Sequence, residues 1–221
     1  MKKQMIAWVG AASVVMLTGC AQSMAQPPHG AMATPMASSS GTRAAELRAG
    51  LNNLFSEHVY LAGAASNAAL GGREAEFKAA AAALDANSVA ISKAIGSVYG
   101  EGAEKAFLPL WRRHIGFVVD YTVGLASNDK AKQDKAVNDL VAYTQDLGAF
   151  LSSANPNLPK SVVADLVKHH VVTLKTVIDA QASKDPARAY TALRAAAGHM
   201  QMIADPLAEA IVKQFPDRFA S

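Results

Sequence analysis

The sequence predicts an all-α fold: six antiparallel helices in three tandem αα-hairpins on a 56-residue repeat, forming a bundle or a short solenoid. Three observations predict it. Alanine-rich segments carry apolar residues at helical spacing, with no strand-like alternation. Turn signals at Gly71-Gly72, Ser127-Asn128-Asp129 and Ser183-Lys184-Asp185 recur at one constant step. His58, His114 and His170 keep the same 56-residue step.

The elements follow in order. A first helix over 43–70 ends at the glycine pair, and a second over 73–98 returns from it. Gly100-Glu101-Gly102 links to a third helix over 103–126, and the turn at 127–129 leads to a fourth over 130–153. Asn155-Pro156-Asn157-Leu158-Pro159 links to a fifth over 159–182. Asp185 followed by Pro186 makes an N-cap and first-turn pair for a sixth over 186–214. Pro109 and Pro206 lie inside two of these spans, so a kink or a late helix start is expected at each. Two apolar columns keep the register of the repeat: Ile91, Leu147 and Ile203, then Ile95, Leu151 and Leu207.

The repeat indicates where the histidines point. His58 follows Leu51 and Leu54 by 7 and 4 residues, His114 follows Phe107 and Leu110 by the same steps, and His170 follows Val163 and Leu166. Each histidine therefore lies on the apolar stripe of its helix. At ~1.5 Å per residue, an antiparallel hairpin brings Asn87, Tyr143 and His199 to the heights of His58, His114 and His170. Two readings stay open. Each imidazole is a core residue hydrogen-bonded across its hairpin, since a buried imidazole needs a partner. Alternatively the histidines bind copper or haem. Convergence on one ion requires the hairpins to close around an axis, whereas an open solenoid would leave the histidines in a row.

His199-Met200-Gln201-Met202 sharpens the metal reading. His199 and Met202 share a face, with His170 expected nearby, and imidazole plus thioether suits copper, above all Cu(I). The expected metal set is thus His170, His199 and Met202, within a wider candidate ligand site of His58, His114, His170, His199, Met202 and Tyr143. As core filler, Met202 would need no metal. A pocket walled by Trp111, Phe117 and Tyr121 is a third option for a small molecule.

Residues 1–19 have the order of an export signal: Lys2 and Lys3, an apolar stretch from Met5 to Met16 too short to span a bilayer, then Leu17-Thr18-Gly19-Cys20. That tetrapeptide resembles the lipobox of bacterial lipoproteins. The resemblance implies lipid on Cys20 as the mature N-terminus and, with Ala21 next, an outer-membrane address facing the periplasm. Cys20 is the single cysteine, so it has no disulfide partner in the chain. Residues 20–42, the lipidated cysteine and a flexible tether, are rich in Ala, Ser, Pro and Gly and uncharged; they scatter Met24, His29, Met32 and Met36. The helical domain is assigned to 43–221.

Setting Lys2 and Lys3 aside, 19 basic residues face 18 acidic ones, and no basic stripe suggests a nucleic-acid partner. No HExxH, Gly-rich phosphate loop, mature-domain cysteine nucleophile or di-iron Glu-x-x-His pair is present, so an enzyme is not expected. The expected function is a membrane-anchored periplasmic lipoprotein, non-enzymatic, binding copper or haem. The alternative is a structural or interaction lipoprotein with an envelope-protein partner and no cofactor.

The segments EHVYLAGAASNAALGG (57–72), ALDANSVAISKAIGSVYG (83–100), WRRHIGFVVDYT (111–122) and GHMQMIADPLAEAIVKQFP (198–216) resemble a family of exported bacterial helical proteins and lipoproteins. Some relatives carry an attached copper amine oxidase N-terminal-like domain, which has no counterpart here. The resemblance implies an exported helical domain and carries over no functional residue.

Overall fold

A computed structural model describes residues 41–220. Cys20 and the signal and tether assignments lie outside them. The described chain folds as α1 (Arg43–Leu70), α2 (Glu74–Tyr99), α3 (Glu101–Ala126), α4 (Lys130–Ala154), α5 (Lys160–Ala182), α6 (Pro186–His199), α7 (Gln201–Gln214) and a single turn α8 (Pro216–Phe219). No strand occurs among the described residues, and no helix there is long and apolar enough to cross a membrane.

Local chemistry sets the boundaries. Thr42, Asp129 and Asp185 each turn a side-chain oxygen onto the backbone N–H three residues ahead, satisfying one orphan donor at the starts of α1, α4 and α6. The three hairpin turns are built alike. Arg73, Asp129 and Asp185 donate their N–H groups to the carbonyls of Ala68, Gly124 and Ala180, the six-to-one bond of a Schellman motif. The residue before each takes a left-handed conformation: Gly72 at φ 66°, Asn128 at φ 54° and Lys184 at φ 57°. The 56-residue step is therefore a structural repeat down to the backbone angles of its turns.

The hairpins close into a bundle. Each helix from α1 to α6 packs on the next, and α1 packs on α6 and α7, which joins the last hairpin to the first. Inside this ring α1, α3 and α5 touch one another, while α2, α4 and α6–α7 stand around them. The apolar columns behave as their spacing requires: Ile91, Leu147, Ile95, Leu151 and Leu207 are buried, and Ile203 is partly so.

The prolines act differently from each other. α3 runs unbroken through Pro109, which is exposed, so the carbonyl it deprives of a donor stands on the wet side of the helix. The span expected as one helix over 186–214 is divided at Met200, upstream of Pro206. The Met200 N–H reaches the Ala197 carbonyl, a tightened three-residue step, before α7 resumes the α-helical pattern with Ala204 bonded to Met200.

A candidate metal centre of three buried histidines

The inner helices α1, α3 and α5 each present one histidine at the same height, and the closed ring brings the three together. His58, His114 and His170 are 1 %, 3 % and 4 % exposed. One ring nitrogen from each lies within 4.8 Å of the other two. His58 Nε2 and His114 Nε2 are 3.3 Å apart, and the rings of His58 and His170 are centred 5.9 Å apart. Two nitrogens bound to one tetrahedral ion at 2.0–2.1 Å are about 3.3–3.4 Å apart, so the His58–His114 separation suits a shared ion.

Few polar groups serve the cluster. Nδ1 of His58, Nδ1 of His114 and both ring nitrogens of His170 have no hydrogen-bond partner, nor do Tyr143 Oη and Trp111 Nε1 beside them. Buried polar atoms are nearly always paired, so a concentration of unpaired ones asks for an explanation. The neighbours are aromatic and apolar. Trp111 meets the His114 ring edge-on at 4.7 Å and the His58 ring at 5.0 Å, and Tyr143 stacks on His114 at 4.9 Å.

This environment keeps the imidazoles neutral. Burial drives His58 well below the ordinary histidine value, reinforced by His114 and His170. Burial lowers His114 to about 3 and His170 to about 4, with His170 adding to the first and His199 to the second. Neutral imidazole is the form that binds a metal. Burial likewise raises the Tyr143 phenol, which stays protonated.

The core-residue reading required hydrogen bonds from Asn87, Tyr143 and His199 to the three imidazoles, and these do not form. The heights are as expected, but the bonds go elsewhere. Asn87 donates to the Leu54 carbonyl at 2.9 Å and to Glu57 at 2.7 Å. His199 Nε2 meets the Leu166 carbonyl at 3.1 Å. Tyr143 stacks rather than bonds. A row of histidines along a solenoid is also excluded by the closed ring.

The set His170, His199 and Met202 is not gathered as expected. Met202 is 58 % exposed, whereas Met200 is buried and shares a small cavity wall with His114, Tyr143 and His170. The buried stripe of α7 runs Ala204, Leu207, Ala208 and Ile211, and Met200 continues it backwards by one turn. That spacing was available in the sequence and points to Met200 instead of Met202. His169 lies off the apolar stripe of α5. It is exposed, next to His170, with its ring 4.2 Å from that of His199.

Two larger cavities lie nearby, one of them against the cluster. One of about 200 Å³ touches His58 and His114 and is otherwise lined mainly by apolar residues of α1 and α3. Another of about 270 Å³ lies beyond Trp111, between α5 and α7. Comparison with known protein families, characterised proteins and solved structures finds no match to the chain.

Proposed function

We propose that this chain is a membrane-tethered, non-enzymatic metal-binding protein that holds one transition-metal ion between His58, His114 and His170. The observation that carries the reading is the convergence of three buried imidazoles, one from each hairpin, within 4.8 Å. Copper fits best, as Cu(I). Imidazole accepts several first-row metals, so the choice turns on charge. All three donors are neutral, and a dication in this dry core would have no counter-charge. The cost of burying an ion grows with the square of its charge, which favours a monovalent one. The buried thioether of Met200 beside His170 suits the same soft ion. Haem suits the site less well: the cavities against the cluster are about 20 and 200 Å³, below the ~300–1,000 Å³ of ordinary cofactor sites. The lipobox-like Leu17-Thr18-Gly19-Cys20 supports anchoring through lipid, with the helical domain in the periplasm.

Metal analysis of the purified full chain, followed by thermal melts with Cu(I), Zn²⁺ and haem, tests the reading. An ion bound only by the native state raises the melting temperature by mass action. One tightly bound equivalent of Cu(I) with a raised melting temperature is expected, and the rise is lost in His114→Leu. No uptake of any ion would return the protein to a structural or interaction role in the envelope.

A further inference from the structure

The residue before each buried histidine pairs across its hairpin, and the three pairs differ in kind. In the first repeat Glu57 accepts from Asn87 at 2.7 Å. In the second Arg113 forms an ion pair with Asp146. In the third the corresponding residue is His169, and it faces His199 with ring centres 4.2 Å apart. The first two pairs are complementary donors and acceptors. The third brings together two imidazoles that would repel when protonated, and no hydrogen bond joins them.

His199 is prepared for a ligand. A carbonyl can only accept, so the 3.1 Å contact with Leu166 fixes the proton on Nε2 and leaves the lone pair of Nδ1 free. Metal-binding histidines are held in this way, one nitrogen donating to a carbonyl and the other turned to the ion. The surroundings grade inward: His169 is exposed, His199 half-buried and His170 buried, and His170 directly follows His169 in α5.

We propose that His169 and His199 form an outer metal-binding pair through which an ion reaches the buried site of His58, His114 and His170. The inference rests on the metal-binding reading above. Without such a pair, an ion would shed its hydration shell in one step to enter an apolar core. The two outer imidazoles replace part of that shell at the surface, one residue from the first buried ligand.

The test is the rate of loading. Cu(I) is supplied to the full chain from a coloured chelator complex and colour loss is followed in time. Asparagine in place of His199 can keep the carbonyl bond, as Asn87 does at the equivalent position, so His199→Asn preserves the fold while removing the imidazole. With a chelator strong enough to keep Cu(I) from the weak outer pair, so that only the buried site is counted at the end point, His199→Asn and His169→Gln are expected to load about tenfold more slowly and to the same one equivalent. His170→Leu should retain a weak Cu(I) site that disappears in the His170→Leu, His199→Asn double variant. Unchanged rates in both single variants would overturn the outer pair, as would a His170→Leu protein whose residual binding ignores His199. A wild-type chain that takes up no ion would instead overturn the buried site itself.

Discussion

His199 stands in the third hairpin where Asn87 stands in the first, two repeats earlier, and each donates to the carbonyl four residues before the buried histidine of its own hairpin, Leu166 in one case and Leu54 in the other. The bond braces the two helices of the hairpin at the level of the cluster without occupying the imidazole. The histidines are held in place by what surrounds them and make few polar bonds of their own, which governs how each should respond to change.

His170→Leu should stabilise the metal-free protein. The substitution replaces a side chain with two unpaired buried nitrogens by an apolar one of similar size. Leaving a buried polar group unpaired costs ~1–3 kcal/mol, and for a domain of this size each kcal/mol moves the melting temperature by ~2–4 °C. Melts without metal should show an increase, and the stabilisation by Cu(I) should vanish. A metal-free variant that melts lower than wild type would mean that His170 serves the fold directly.

Acid should weaken the metal-free fold. An unfolded histidine takes a proton near pH 6.5, whereas folded His170 and His114 do so only near 4 and 3, and His58 lies well below the ordinary value. In that window the unfolded chain binds more protons, so stability falls with falling pH, by up to ~1.4 kcal/mol per pH unit for each histidine. Denaturant midpoints followed from neutral pH to about pH 5 should show this slope, and His170→Leu should reduce it. Because the folded imidazoles are already neutral, metal occupancy should hold to about pH 5, below the range where exposed histidine sites release their ions.

Lys184→Gly should stabilise the third hairpin. Lys184 sits at φ 57°, where the first repeat has Gly72 at φ 66°. A side chain in this left-handed region costs ~1–2 kcal/mol, partly offset by the extra freedom glycine gives the unfolded chain. A gain of ~1 kcal/mol in chemical denaturation is expected. No gain would show that the Lys184 side chain contributes to the turn what its backbone conformation costs.

The sequence carried the helices, the repeat and the burial of the histidines because all three follow from spacing. Leu51, Leu54 and His58 recur at one helical face whatever the helix packs against. It did not carry closure, since a 56-residue period is equally compatible with a row and a ring. That depends on α1 meeting α6 and α7, a contact between distant parts of the chain. By spacing alone Met202, three residues after His199, shares its helical face. The chain tightens at Met200 instead, and it is Met200 that continues the buried stripe of α7. His169 carries no signal in the apolar spacing, since it lies off the stripe and its neighbour His199 is fixed by tertiary packing.

The closure of α1 against α6 and α7 has a consequence for timing. The helix made first is packed by the helices made last, so the ring cannot shut while the C-terminal residues are still being delivered. Any two hairpins supply two of the three histidines, and the third arrives only with the remaining one. The three-histidine cluster is therefore completed by the same event that completes the domain, and no part of the chain short of all three hairpins presents it.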